Sequence, residues 1–242
     1  MLSPVLQKSV CGNFRESAAK SVELEDVELA SFQHVLDLWC GRESVEFGSV
    51  QQLMRAAALT DRLQVIGVTE ALEDALIKQL RVDNCVEVLI GSGELMLGQV
   101  EAAAERLALS QFEEVALTEG FTGIGEEALG RLLDADALLV EREELVLEGL
   151  VQWMAARGEG GGLVGRGLLG TVRFALMDAG YLAREVEGRV PAVHREWARG
   201  AVEEALRAKL APAERRGRLQ WNQLGPKAAT LRTGVRPERA VI

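Results

Sequence analysis

The stretch 141-EREELVLEGLVQWMAA-156 carries the clearest periodic pattern in the chain and decides its fold class. Leu147, Leu150, Val151 and Met154 recur at i, i+3, i+4 and i+7, a spacing that places apolar side chains on one face of an α-helix. Such a face is stable only when it packs against other elements. We therefore predict an amphipathic helix here, inside a helical domain.

The segments on both sides repeat the helical pattern. Of the 242 residues, 48% are apolar and 5% aromatic, a composition that is typical of a mostly helical protein with a sizeable core. We predict short helices between positions 83 and 133 and another over 194–209. The N-terminal segment 1–80 differs, because alternation in 21–27 and an apolar patch at 44–47 predict strands between the helices.

A capping signal marks the start of one N-terminal helix. Ser49 is followed three positions later by Gln52, the arrangement in which each side chain bonds to a free backbone amide of the first turn. We predict a helix from this position and a further one over about 64–80. The segment 1–80 is thus expected to run strand, helix, strand, helix, helix.

Charge is unevenly distributed along the chain. The formal net charge is −10, which argues against nucleic acid as the main partner. From Arg189 onward there are 12 Lys/Arg against 5 Glu, whereas the segment 1–188 holds 15 Lys/Arg against 32 Asp/Glu. A basic tail on an acidic body indicates intramolecular docking, an acidic partner or a solvated extension. Solvation is the common case, and we expect the segment 212–242 to be irregular or disordered.

No pattern in the sequence indicates an enzyme. Gly160-x-Gly162-x-x-Gly165 matches the dinucleotide motif, but a predicted helix precedes it where the motif requires a strand. The only histidines, His34 and His194, lie far apart, and no C-x-x-C occurs, so we expect neither a metal nor a cofactor. Acidic pairs such as Glu143-Glu144 are interpreted as a solvated helix face or as first-turn acids favoured by the helix dipole.

Two features bear on location. No apolar run reaches the roughly 20 residues needed to span a bilayer, and the start "MLSPVLQKSV" has no apolar core of a signal peptide. Three cysteines, an odd number without close spacing, fit a reducing compartment. We expect a cytoplasmic protein without membrane contact, with the nucleus as a second location.

The order of these segments resembles a BTB domain followed by a BACK domain, as in the Kelch-like adaptor proteins. The resemblance covers roughly residues 2–190 and implies a partial BTB unit over 1–80, a BACK domain over 81–190, and a C-terminal helix with a basic tail over 191–242. The implied fold class is mostly α, with a partial BTB/POZ α+β unit followed by an all-α BACK helical domain. The matching stretches are "SPVLQKSVCGNFRES", "VELEDVELASFQHVLDLWCGR", "VQQLMRAAALTDRLQVIGVTEALEDALIKQL", "VDNCVEVL", "FEEVALTEGF", "LGRLLDADAL", "EELVLEGLVQWM" and "VRFALMDAGYLAREVEG".

The resemblance also implies a docking site. In this family a hydrophobic-x-Glu triplet between a helix and the next strand docks on a cullin scaffold, and Phe14-Arg15-Glu16 occupies that position. Phe14 is expected to enter an apolar groove and Glu16 to accept hydrogen bonds at its rim. Phe32, Trp39 and the nearby Arg42 are expected to give weaker, mainly structural support, and Arg42 is counted with Phe14 and Glu16 among the cullin-docking residues. The competing interpretation is that Phe14 merely packs locally.

The implied function is a non-enzymatic adaptor that links an unknown substrate protein to a cullin-RING ubiquitin ligase. Compared with the family, the N-terminal strand and helix of the BTB domain and the Kelch repeats are missing from this sequence. We therefore expect a truncated BTB domain and a weakened homodimer. Two alternatives stay open: a BTB-like scaffold or transcription-associated module that does not bind cullin, and a truncated product without function.

Overall fold

The computed structural model describes residues 3–11, 22–41, 47–158, 165–211, 224, 227–228 and 230–232. The chain divides into two compact units, Met1–Ala104 and Glu105–Ile242. The described residues form α-helices, short 3₁₀ turns and loops, and none of them lies in a strand. The mostly helical prediction is confirmed, whereas the α+β character expected for the segment 1–80 is not. The domain boundaries derived from the resemblance stay predictions.

The first unit is organised around one helix, α3, which packs against the helices before and after it. Leu53, Ala56 and Leu63 of α3 are buried, as are Val35 of the preceding helix and Leu72 of the following one. The helices are α1 (Pro4–Cys11), α2 (Leu29–Trp39), α3 (Val50–Leu63), α4 (Thr69–Gln79), α5 (Cys85–Glu94) and α6 (Gly98–Ser110), within which the second unit begins.

The predicted capping signal operates at the start of α3. The Ser49 hydroxyl accepts a hydrogen bond from the Gln52 amide at 3.3 Å. The Gln52 side chain in turn accepts a hydrogen bond from the Gly48 amide at 2.9 Å. In a regular capping box the donor is the amide of the N-cap residue, one position later. At the other end, Gln64 adopts a left-handed conformation with φ 51°. Since Gly67 also has a positive φ, the helix predicted over 64–80 begins only at Thr69.

The alternating segment 21–27 forms no strand in its described part. Residues 22–24 lack regular structure, Glu25 and Asp26 form a turn, and Asp26 has a left-handed φ of 55°. A strand needs a neighbour to pair its amides and carbonyls, and the described part of the chain supplies none. Here the Glu25 carbonyl instead accepts a bond from Arg62 of α3. Of the second predicted strand, 44–47, only Phe47 is described, and it has no regular structure.

The second unit is built from many short helices around α9. Helix α13 agrees with the predicted helix over 194–209. The α-helices are α7 (Phe112–Ala116), α8 (Glu126–Asp134), α9 (Glu143–Ala156), α10 (Arg166–Leu169), α11 (Ala179–Arg184), α12 (Val186–Arg189) and α13 (Arg195–Leu210); 3₁₀ turns span Glu119–Gly123, Phe174–Leu176 and Ala192–His194.

Helix α9 is the buried helix that its apolar stripe predicts. Leu147, Leu150 and Met154 are buried, while Val151 lies at the edge of the stripe. Trp153 is fully buried, and its indole nitrogen donates to the Ile124 carbonyl at 2.8 Å. The helix also precedes the glycine-rich stretch, which agrees with excluding a dinucleotide motif there; positions 159–164 of that stretch lie outside the described residues.

The interpretation of Glu143 and Glu144 as a solvated helix face is wrong. Both lie in the first turn of α9, as expected, but both are buried. Glu143 accepts hydrogen bonds from the Arg173 amide and from the Arg232 guanidinium, and Glu144 accepts one from the Asp178 amide. The two carboxylates are thus satisfied by residues far along the chain, which sequence periodicity does not reveal.

The C-terminal tail is not simply a solvated extension. Its described residues lack helix and strand, as predicted, yet Leu224, Ala228 and Arg232 are buried. Lys227 forms an ion pair with Asp134 at 2.9 Å. The acidic body and the basic tail therefore meet within the second unit, which is the docking alternative raised by the charge distribution.

We predict that Ser49→Ala lowers the free energy of unfolding by about 1 kcal/mol, because the Gln52 amide loses its acceptor. Ser49→Asp keeps an acceptor at the same position and is expected to retain most of the stability. Urea unfolding of both variants measures the difference. Equal stabilities of the alanine and aspartate variants would contradict a capping role.

We predict that Glu143→Gln destabilises the protein by about 3–5 kcal/mol, because it leaves the buried Arg232 cation without its counter-charge. The control is Glu127→Gln, whose side chain is 91% exposed and pairs with Arg131 at 3.8 Å. That surface pair contributes at most about 1 kcal/mol. Thermal unfolding of both variants tests the contrast, and a similar shift in the two would refute the assignment.

Candidate partner-docking surface

The residues predicted to dock on a partner, Phe14, Glu16 and Arg42, all lie outside the described residues. What is described is the framework on either side of the triplet. Helix α1 ends at Cys11, shortly before it, and the chain is described again from Val22. The resemblance implies a helix before the triplet and a strand after it; α1 is such a helix, whereas residues 22–24 form no strand.

Helix α1 is fastened at its N-terminal end. The Ser3 hydroxyl donates to the Leu63 carbonyl at the end of α3 and accepts from the Leu6 amide at 3.1 Å. Ser3 thus caps α1 and ties it to the central helix of the first unit at the same time.

Helix α2 carries a partly exposed row of apolar side chains. Leu29, Phe32, Leu36 and Trp39 stand at i, i+3, i+7 and i+10 and line one face, which we call the α2 stripe. Leu29 is 69% exposed and Trp39 42%, while Phe32 and Leu36 are half-buried. The helix also buries Val35. Part of the Phe32 and Trp39 side chains is therefore exposed, and their supporting role at the docking site stays a prediction.

A groove lies beside the N-terminal end of α2. It has a volume of about 560 Å³ and lies between the segment before α2 and helix α3. Glu28 forms an ion pair with Arg55 at 3.0 Å across it, and Arg62 donates to the Glu25 carbonyl at 3.0 Å. Sequence reasoning missed this groove, because its walls come from segments that are distant in the sequence. Its lining residues are Asp26, Val27, Glu28, Ser31, Arg55, Ala58, Leu59 and Arg62.

A second apolar area of the first unit surrounds the turn after α5. Ile66 is 61% exposed and Met96, with a left-handed φ of 54°, is 85% exposed. Next to Ile66 is a cleft of about 290 Å³ to which Leu95 and Leu97 contribute. The sequence signal for this area is weak, because single apolar residues in turns carry no periodicity.

The titratable groups with shifted pKa values are held in their usual charge states. In the second unit, the hydrogen bond from Arg173 lowers the pKa of Asp136, and the bond from the Tyr181 amide lowers the pKa of Asp178. Burial raises the pKa of Tyr181 to about 12, so its hydroxyl stays protonated and donates to Glu148. Groups of this kind form fixed contacts and do not exchange protons near neutral pH.

Neither a metal centre nor a membrane segment is found among the residues that the structure describes. No three His, Cys, Asp or Glu side chains there are grouped so that they could hold a metal ion. No helix in the described ranges is long and apolar enough to cross a membrane. The arrangement in the first unit consists of apolar and ion-paired surface, which is suited to contact with a protein.

Comparison with known proteins gives the same order of segments. Residues 1–80 match the model of the BTB/POZ domain, and residues 85–187 match that of BACK, "BTB And C-terminal Kelch". Among curated proteins, Kelch-like protein 3 of Homo sapiens is 27% identical over 215 residues, which cover 88% of this chain and 36% of that protein.

Two other relatives are similar. Kelch-like protein 30 of Homo sapiens is 34% identical over 154 residues, 63% of this chain and 26% of that protein. Kelch-like protein 24a of Danio rerio is 28% identical over 179 residues, 74% and 29% of the two chains. The chain thus spans between about a quarter and about a third of the length of these relatives, and no Kelch repeats are evident in its 242 residues. The chain matches a BTB and a BACK domain in this order, and it is homologous to the Kelch-like proteins over most of its length.

Proposed function

We propose that this protein is a non-enzymatic adaptor that binds a cullin scaffold and presents a substrate protein for ubiquitination. The observation that carries the proposal is the match to a BTB and a BACK domain in the Kelch-like order. The chain covers only about a quarter to a third of each relative's length. The partners and substrates of the Kelch-like proteins are therefore proposals for this chain.

The proposed docking element is the triplet that starts at Phe14, with Glu16 at the rim and Arg42 as a further contact. The fixed start of α1 supports this proposal, because a short segment next to a fastened helix loses less conformational entropy on binding than a free one. An aromatic side chain that enters an apolar groove is a typical energetic centre of an interface. Adaptors act by holding two proteins together, and this chemistry needs no reactive group.

The α2 stripe offers a supporting contact surface. Trp39 and Leu29 present large apolar areas, and Trp is among the residues that contribute most at interfaces. The same stripe favours the alternative, an interaction module that uses this face for a partner other than cullin. Direct binding distinguishes the two. We also propose that the protein is cytoplasmic, with the nucleus as a second location, and that it forms a weak homodimer.

We predict that the purified protein binds the N-terminal part of a cullin-three scaffold and that Phe14→Ala or Glu16→Ala weakens this binding by at least about 1 kcal/mol, or roughly fivefold. The first change removes the apolar anchor, and the second removes the acceptor at the groove rim. Isothermal titration calorimetry measures the affinities, and circular dichroism checks that each variant keeps the helix content of the wild type.

Matched controls are an exposed acid and an exposed apolar residue outside the triplet. Glu23→Ala and Leu117→Ala, the latter at a site 81% exposed, are expected to bind like the wild type. If the folded wild-type protein does not bind the cullin fragment, the cullin proposal is wrong and the alternative module is favoured. If all four variants lose affinity equally, the triplet is not the contact.

We expect Trp39→Ala to separate the two proposals further. An adaptor that docks mainly through the triplet should lose little cullin affinity, because Trp39 gives secondary support. A module that uses the α2 stripe should instead lose self-association or partner binding. Calorimetry measures the cullin affinity of each variant. Sedimentation velocity across a wide concentration range measures self-association in the same samples.

A further inference from the structure

The guanidinium of Arg232 lies in a closed pocket of the second unit. Its side chain is fully buried, and it makes four hydrogen bonds to three different residues. The Nε and Nη2 atoms donate to the two oxygens of Glu143 at 2.9 and 2.7 Å. The Nη1 atom donates to the Leu133 and Ala135 carbonyls at 2.8 and 2.9 Å. The guanidinium thus makes a bidentate contact with the carboxylate and two further bonds to backbone carbonyls. This arrangement of acceptors fits the planar shape of an arginine head group.

This geometry selects arginine over lysine. An ammonium group is a point donor and cannot bond to both carboxylate oxygens and two carbonyls in one plane. A buried cation is tolerated only when acceptors surround it, and here a carboxylate and two backbone carbonyls at the end of α8 do so. The pocket is therefore a built site for an arginine side chain.

The described residues shortly before Arg232 are held by contacts with the second unit. Leu224, Ala228 and Arg232 are buried at intervals of four positions. Between these anchors, Lys227 donates to both the carbonyl and the carboxylate of Asp134, at 3.0 and 2.9 Å. The Thr230 carbonyl accepts from Arg173 at 2.8 Å.

The surface that receives this segment belongs to the helices of the second unit. Glu143 opens α9, Asp134 ends α8, and Glu204 of α13 accepts from the Leu224 amide at 3.2 Å. Arg173 is itself fixed by an ion pair with Asp136. The lining is thus acidic and comes from elements 20 to 99 residues away in the sequence from the segment that it holds.

We propose that this surface is an arginine-anchored peptide-binding site, which the chain's own Leu224, Lys227, Ala228 and Arg232 occupy and which an arginine-bearing basic peptide of the same chemistry occupies when they are displaced. The site recognises a peptide that carries small or apolar side chains, a lysine and an arginine. The inference rests on the second unit alone and does not depend on cullin docking.

Tethering explains why such a site is hidden in the intact chain. A segment linked to its own site acts at a high effective concentration, on the order of millimolar, so that a separate peptide competes poorly. Weakening the tethered anchor removes this competition. The protein then exposes an acidic pocket that can take a partner's peptide.

The test uses the whole 242-residue chain and a labelled synthetic peptide, LGPKAATLR, which repeats the sequence of residues 224–232. Fluorescence anisotropy measures its binding to the wild type and to Arg232→Ala and Arg232→Lys. We expect Arg232→Ala to bind the peptide at least about tenfold more tightly than the wild type does, with Arg232→Lys in between. A peptide ending in lysine is expected to bind Arg232→Ala at least about tenfold more weakly than LGPKAATLR.

The control is Arg199→Ala, which removes an exposed arginine on α13 and is expected to behave like the wild type. If Arg232→Ala folds poorly, the peptide should raise its melting temperature in proportion to occupancy. The proposal is overturned if the folded variants do not bind the peptide, if wild type and variants bind it equally, or if the peptide leaves the melting temperature of Arg232→Ala unchanged.

Discussion

A buried carboxylate at the start of α9 organises the second unit. Glu143 lies where the helix dipole and the free amides of the first turn favour a negative charge, but burial removes the water that would otherwise solvate it. Two other parts of the chain replace that water, the Arg173 amide and the Arg232 guanidinium. One charge therefore ties the central helix, the segment before α11 and the tail together.

The two units are stabilised by different interactions and present different surfaces. The first unit buries an apolar core around α3 and leaves apolar side chains of α2 partly exposed. Such surface suits an adaptor, because its binding energy comes from a few apolar anchors and not from reactive groups. In the second unit α9 contributes a buried apolar stripe to the core, while hydrogen bonds and ion pairs at its N-terminal end fix loops and tail. Contacts of this kind are specific in geometry, which is the property that recognition of an arginine requires.

Helical content and the main helices could be predicted from the sequence, since they follow from local spacing. The α9 stripe, the Ser49 cap and the helix over 194–209 agree with the structure for this reason. The strand predicted over 21–27 is not confirmed, because alternation describes a side-chain pattern but supplies no pairing partner. Of the candidate site, the sequence named the triplet through a family resemblance, while the groove between Glu28 and Arg55 depends on distant segments that no local pattern connects.

The sequence by itself determined the helical class, the BTB–BACK order and the contrast between acidic body and basic tail. Only the tertiary structure decided what the charges do. In the sequence Glu143 looks like an ordinary exposed first-turn acid and Arg232 like part of a solvated tail, yet the two meet across 89 residues and are buried together. The physical reason is that a charge's environment depends on which chain segments exclude water from it, and this is fixed only when the whole unit has folded.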